Sequence, residues 1–183
     1  MKKLVGLLIL AGLLTAAPVV PRKAAEFVIQ KTSGEQLLLS AYRGKPVVLA
    51  LMYATCSHCQ HTAGLLNKIS KDYSAKGVQV LGAVFNEGDV MRSDAFNKQF
   101  QIAFPCGYSN GLAVTSFLQW SPSEPYYVPI LVFIDKTGMI RKQVIGDEKF
   151  LDNATEEANI RAEIDKLLKP AVVSSAKKSA KSE

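Results

Sequence analysis

An unbroken apolar run, Val47 to Tyr53, leads almost directly into Cys56-Ser57-His58-Cys59, and a helical pattern follows at once. A continuous stretch of this kind, rich in valine and leucine, is what a strand buried on both faces requires. Cysteines three apart at the opening turn of a helix lie on one side of it, so their sulfurs can close a small disulfide ring. The first sulfur of such a pair faces free backbone N–H groups and the positive end of the helix dipole, which favour a thiolate. The order strand, Cys-x-x-Cys, helix therefore predicts an α/β fold that presents one nucleophilic thiol beside a partner able to release it.

The chain has 183 residues, 48% of them apolar, which suits a single domain with a substantial core. Its formal charge of +6 is partly local. Lys2 and Lys3 stand at the front, and Lys177, Lys178 and Lys181 lie in a short tail. Without those five the balance is close to neutral, so no nucleic-acid footprint is implied. Three cysteines, two of them in one motif, argue against a disulfide-stapled scaffold.

Residues 1–25 read as an export signal or a membrane anchor. Lys2-Lys3 form a positive start, Leu4 to Leu14 an apolar stretch, and Thr15-Ala16-Ala17 a run of small residues. Pro18 would be a poor first mature residue, and Leu4 to Val20 is at the lower limit for spanning a bilayer, so both readings stay open. Either one places the domain outside the cytoplasm, in the periplasm or its equivalent, where dithiol chemistry on secreted proteins takes place. No cysteine lies near this segment, which argues against a lipoprotein anchor.

The folded domain is expected over 26–169, with a disordered basic tail over 170–183. Phe27 to Ile29 and Leu37 to Leu39 read as a hairpin, and Val47 to Tyr53 as a central strand. Leu65, Leu66, Ile69 and Tyr73 mark a helix face ending near Gly77. Val78 to Phe85 is a second buried strand, and Ser93 to Phe100 a short helix. Ile130 to Ile134 and Met139 to Ile145 form a strand pair around Lys136-Thr137-Gly138. An Asn153…Glu156 capping box opens a closing helix with Ile160, Ile164, Leu167 and Leu168 on one face.

Several stretches together resemble the TlpA-like branch of thioredoxin-fold thiol-disulfide oxidoreductases, near the alkyl-hydroperoxide-reductase/redoxin superfamily. The matching residues include Tyr42-Arg43-Gly44-Lys45-Pro46-Val47-Val48-Leu49 and Tyr53-Ala54-Thr55-Cys56-Ser57-His58-Cys59. They continue at Phe104-Pro105 and at Val128-Pro129 followed by Ile130 to Gly138. The resemblance covers nearly the whole expected domain. It implies a thioredoxin fold, a central mixed β-sheet flanked by helices, with an N-terminal β-hairpin extension. It also implies that Pro129 is cis, faces the dithiol, turns the Val128 backbone toward an extended substrate, and discourages metal capture.

The sequence departs from the family pattern in ways that bear on proton handling. Thr55 replaces a tryptophan before the first cysteine, and Ala50 stands where thioredoxin has a buried acid. Thr62 occupies a position that is glutamate in some relatives, and Gly64 replaces a helix proline. His58, inside the motif, is a feature of strongly oxidising dithiol proteins, where an imidazole stabilises the thiolate of the first cysteine. The bland reading is a partly solvated histidine. His61, one turn on, reads as a solvated helix residue.

Cys56 is thus expected to attack and Cys59 to resolve, exchanging disulfides with cysteine-containing substrate proteins and with a membrane or periplasmic redox partner. The direction of exchange is left open, as is the substrate; cytochrome c maturation and repair of secreted proteins are typical of TlpA-like relatives. Neither cofactor nor metal is expected. Cys106 reads as a small buried hydrophobe. Trp120, Tyr126 and Tyr127 precede Pro129 and suit either a substrate groove, with Val128, or simple loop packing. Of the competing functions, a metallochaperone would want a wider cysteine spacing and a distant histidine. A thiol peroxidase would want a single cysteine in a Pro/Thr-rich loop. Covalent haem attachment fails because Gln60, not histidine, follows Cys59.

Overall fold

The computed structural model describes residues 19–86, 89–121, 124–146 and 148–169. The candidate signal or anchor up to residue 18, the loop residues Pro122 and Ser123, and the tail from 170 lie outside the described residues. The elements are β1 (Arg22–Lys23), β2 (Val28–Gln30), β3 (Gln36–Leu38), β4 (Val47–Met52), α1 (Ser57–Ser74) and β5 (Gln79–Val84). They continue with α2 (Asp89–Gln99), β6 (Cys106–Tyr108), α3 (Gly111–Leu118), β7 (Ile130–Ile134), β8 (Met139–Val144) and α4 (Glu156–Leu168).

All these strands join one mixed sheet in the order β1-β8-β7-β4-β5-β6-β2-β3. At its centre β4 runs parallel to β5 and antiparallel to β7. Every residue of β4 is buried, which is why the run shows no polar alternation. Its side chains still alternate by face. Val48, Ala50 and Met52 join a core layer with Cys59, Ala63 and Leu66 of α1 and Ile160 and Ile164 of α4. Val47, Leu49 and Leu51 face the opposite layer with Phe27, Val114 and Phe117. Each large apolar side chain so buried contributes about 1.5–3 kcal/mol, and together they fix β4, hence the position of the cysteine motif at its end.

The expected hairpin is β2–β3, in register Val28↔Leu38. It extends the far edge of the sheet through the single pair Gln30↔Tyr108 with β6. Gly107 is needed there, because a Cβ would run into the carbonyl of Gln30. The sheet also begins earlier than the expected Glu26 boundary, since Arg22 and Lys23 pair with Ile140 and Met139. Helix α2 likewise starts ahead of Ser93, at Asp89.

Helix α1 buries Cys59, Thr62, Ala63, Leu66, Ile69 and Tyr73, a stripe with helical spacing, and runs unbroken through Gly64. It stops at Ser74, and Gly77 turns the chain at φ +77°. The capping box expected at the start of α4 does not form. The N-cap is Thr155 with no side-chain cap bond, and the Asp152 carbonyl accepts the N–H groups of Thr155 and Glu156, both at 2.8 Å. The Glu156 side chain is instead drawn under α1, where it is wholly buried.

Candidate active site

Strand β4 ends at Met52, and the loop Tyr53-Ala54-Thr55 carries the chain over to α1. Two side chains pin that loop: Asn86, just after β5, accepts the Ala54 N–H at 3.1 Å. Gln60, in the first turn of α1, donates to the Ala54 carbonyl at 2.9 Å. Cys56 is thereby placed as the N-cap residue of α1, its sulfur accepting the Cys59 N–H at 3.3 Å. Neither Asn86 nor Gln60 stood out in the sequence, because both act through backbone atoms of a loop.

The two thiols of the motif occupy unlike environments. Cys56 is partly exposed, whereas Cys59 is completely buried and accepts the Tyr53 N–H at 3.4 Å. Burial pushes the Cys59 thiol well above the ordinary range, outweighing the hydrogen bond from Tyr53. A substrate can therefore reach Cys56 first, and Cys59 only through it.

Opposite the motif, the Val128–Pro129 peptide is cis, as the resemblance implied. The Val128 carbonyl lies 3.8 Å from the Cys56 sulfur. Gly146 packs against this peptide, its N–H donating to the Tyr127 carbonyl at 3.1 Å. Tyr127 itself is 56% exposed. Trp120 is turned away toward its own loop and the second core layer, its indole N–H donating to the Glu124 carbonyl at 3.2 Å. Tyr126 also looks inward, its hydroxyl 3.1 Å from that of Tyr53. The Val128 carbonyl is thus brought to Cys56, with cis Pro129 next in the chain, Tyr127 just before Val128, and Trp120 packed into the loop behind.

His58 is not a free surface residue. Its Nε2 lies 2.8 Å from the Leu151 carbonyl, and since a carbonyl only accepts, that nitrogen carries the proton. The same Nε2 is 3.6 Å from Oε2 of Glu156, and His61 Nε2 is 3.7 Å from that same oxygen. The other carboxylate oxygen of Glu156 is 2.6 Å from the Thr62 hydroxyl, while Oε2 accepts no hydrogen bond from the described residues. Glu156 was legible in the sequence only as a capping residue, although Ala50 and Thr62 both stand where relatives carry an acid. Among the described residues no group of three or more His, Cys, Asp or Glu has the arrangement of a metal site.

Cys106 is buried on β6, with its thiol pushed up to about 12 by burial. Its sulfur packs over Gly82 of β5, where an added Cβ would come within 2.8 Å of it. It has the placement of a core residue, in the same buried layer as Cys59 but on a strand two places from β4.

A Cys-x-x-Cys that opens a helix beside a cis Val128–Pro129 peptide narrows the possible families sharply, and the sequence agrees: residues 20–143 match the AhpC/TSA family. The chain belongs to that family. Within the AhpC/TSA family it is similar to the thiol-disulfide oxidoreductase ResA of Bacillus thuringiensis (strain Al Hakam), at 25% identity over 127 residues, covering 69% of this chain and 70% of the relative. In three dimensions it resembles a thioredoxin-family thiol:disulfide interchange protein of Chlorobium tepidum TLS, with a TM-score of 0.67 at 16% identity over 82% of this chain and 99% of that one. A secreted Mycobacterium tuberculosis disulfide oxidoreductase matches with a TM-score of 0.58 at 18% identity, over 74% and 95% of the two chains. This AhpC/TSA member therefore has a thioredoxin fold, with the β2–β3 hairpin as its N-terminal extension.

Proposed function

We propose that this protein is an extracytoplasmic thiol-disulfide oxidoreductase that exchanges a Cys56–Cys59 disulfide with cysteines of substrate proteins. The observation that carries this reading is the pairing of an accessible N-cap thiol with a buried thiol one turn later, facing the Val128–Pro129 peptide. Cys56 attacks a substrate disulfide and forms a mixed disulfide; Cys59 then attacks Cys56 and releases the reduced substrate. The reverse sequence delivers a disulfide to a substrate dithiol. His58 tunes the pair. Val128 and Pro129 receive an extended substrate segment, with Tyr127 at the rim and Trp120 holding the loop.

The apolar segment within 1–25 is the export signal or anchor of this reading, and the catalytic domain runs to about residue 169, with Arg22 and Lys23 already part of its sheet. No helix among the described residues is long and apolar enough to cross a membrane. The relatives named as thiol-disulfide oxidoreductases support the activity, and the secreted Mycobacterium tuberculosis oxidoreductase supports the compartment. The partner that regenerates the dithiol is, on this reading, a membrane or periplasmic redox protein.

The test is trapping. Cys59→Ser should accumulate a mixed disulfide between Cys56 and a peptide disulfide, visible as a stable adduct by mass spectrometry, while Cys56→Ser forms none. An adduct at Cys106 instead of Cys56 would overturn the assignment.

A further inference from the structure

The carboxylate beneath α1 has no structural task that accounts for its cost. Glu156 is fully buried, Thr62 takes one of its oxygens, and the other accepts no hydrogen bond among the described residues. Burying a carboxylate oxygen without a partner is expensive, and replacing it by an apolar group of similar shape would be easier on the fold. What that oxygen does face is two imidazoles, His58 at 3.6 Å and His61 at 3.7 Å.

These two histidines are not equivalent. His61 is more open to solvent, at 42% against 30% for His58. His58 sits between the two cysteines, and its Nε2–H is fixed by the Leu151 carbonyl at 2.8 Å. With Nε2 holding a proton, the lone pair of the neutral ring is on Nδ1, the nitrogen nearer the backbone of the motif. A base aligned by a third group in this way follows the general logic of an activated nucleophile.

We propose that Glu156 is a positioning residue for thiol-disulfide exchange: with the Leu151 carbonyl it holds His58 so that Nδ1 takes and returns the proton of the Cys56–Cys59 pair. In the resolving step the Cys59 sulfur bonds to the Cys56 sulfur and the bond from Cys56 to the substrate breaks. The electron pair leaves on the substrate sulfur, and the Cys59 proton passes to His58 Nδ1. The imidazolium then presents Nε2–H to the Glu156 carboxylate. Reduction of the Cys56–Cys59 disulfide by an incoming thiolate runs the same path backward. Such a base matters because burial keeps the Cys59 thiol protonated.

Thr62 has a defined part in this arrangement. Its hydroxyl lies 2.6 Å from the carboxylate and 3.1 Å from the His58 carbonyl. One hydroxyl proton serves only one acceptor at a time, and given to Glu156 it turns Oε2 toward the imidazoles. The other charged groups around the carboxylate are already engaged or stand outside. Glu157 binds Lys68 and Arg161, the Asp152 carboxylate accepts the Ala154 N–H, and Lys149 of the preceding turn is exposed. His61, from α1, is the outer neighbour through which a proton can reach solvent.

This inference rests on the oxidoreductase reading, and one experiment separates their failures. The full chain, reduced, is mixed with a chromogenic aryl disulfide, and release of the first and second aryl thiolates is followed across pH in stopped flow. If the wild type releases no second thiolate, the oxidoreductase reading itself fails. If it does, Glu156→Gln should slow that second release by about 10–100-fold and displace its pH profile, with Glu156→Asp partly restoring both. Thr62→Val, which keeps the carboxylate and nearly the same shape, should show a weaker effect of the same kind. In a His58→Gln background Glu156→Gln should have no further effect, which a purely structural role would not predict. A wild-type second phase and profile in Glu156→Gln, or equal effects with and without His58, overturns the proposal. Should Glu156→Gln not fold, a wild-type second phase and profile in Thr62→Val overturns it equally.

Discussion

Three cysteines of one chain stand in three different settings. Cys56 is partly exposed at a helix N-cap, Cys59 is enclosed one turn later, and Cys106 is enclosed on β6, two strands from β4. In the folded, reduced protein an alkylating agent at neutral pH should therefore modify Cys56 alone, with Cys59 and Cys106 reacting only after denaturation; peptide mapping by mass spectrometry checks this. Rapid labelling of Cys106 in the folded state would contradict its assignment to the core. The same burial has a consequence for stability. Both buried thiols keep their protons in the folded state to higher pH than in the unfolded chain, Cys106 up to about 12. Their contribution is complete below the unfolded value of about 8.5 and is lost as pH rises above it. Reduced protein should lose stability on that alkaline limb, and Cys106→Ala should flatten it, at a cost of about 1 kcal/mol or more for the cavity. Of these residues the motif pair was legible from spacing alone. The buried carboxylate of Glu156 was not, since its partner Thr62 is distant in sequence and the local pattern fitted a helix cap equally well.

Among the elements, β4, α1 and the β7–β8 pair show most directly why the site holds its shape. The Val128–Pro129 peptide is supported from behind by Gly146, just past β8, where a Cβ would lie 2.6 Å from the carbonyl of Val128. Gly146→Ala should push that peptide relative to Cys56, lowering the rate of exchange with a peptide disulfide about tenfold and costing about 1–3 kcal/mol of stability. Unchanged kinetics with lowered stability would show that Val128 does not set the substrate register. The turn between β7 and β8 depends on Asp135. Burial raises its carboxyl, but hydrogen bonds from the Thr137 hydroxyl at 2.6 Å, the Met139 N–H at 3.1 Å and Arg141 at 2.6 Å outweigh this and hold it below the usual range. A carboxylate of this kind stabilises above its unfolded value of about 3.9, and its contribution is lost as pH falls through the lower folded value. Denaturation followed by circular dichroism should show a steep acid limb that Asp135→Asn flattens. β4 and β7 announced themselves as apolar runs, and β8 through the Lys136-Thr137-Gly138 turn ahead of it. By contrast β1, β6 and α3 did not. β1 and β6 are very short, β6 contains a glycine, and both owe their form to long-range neighbours, Arg22 to Ile140 and Gly107 to Gln30. Propensity and periodicity have little to act on in pieces so small.

Across the whole molecule the sheet carries the dithiol at the end of its central strand. Two apolar layers clamp β4 from both faces, and the loop at its end, tied by Asn86 and Gln60, leaves the dithiol as the reactive point on a stiff support. Between α1 and α4 the apolar layer is interrupted by a buried acid, and that interruption lies under the motif. That the chain would form this fold was readable from the order of its segments, because strand, motif, helix and the later Val128-Pro129 each constrain the next. How protons move within it was not readable, because that depends on residues brought together only by the packing of α4 on α1. A reversible disulfide between Cys56 and Cys59 underlies everything else, and its sharpest test is a redox titration. The full chain is equilibrated across a series of glutathione buffers and quenched with acid, and its free thiols are counted by mass spectrometry. The expected result is a single two-electron transition in which Cys56 and Cys59 are lost together while Cys106 stays reduced throughout. Only mixed disulfides with glutathione at every poise, or a disulfide that includes Cys106, would refute it.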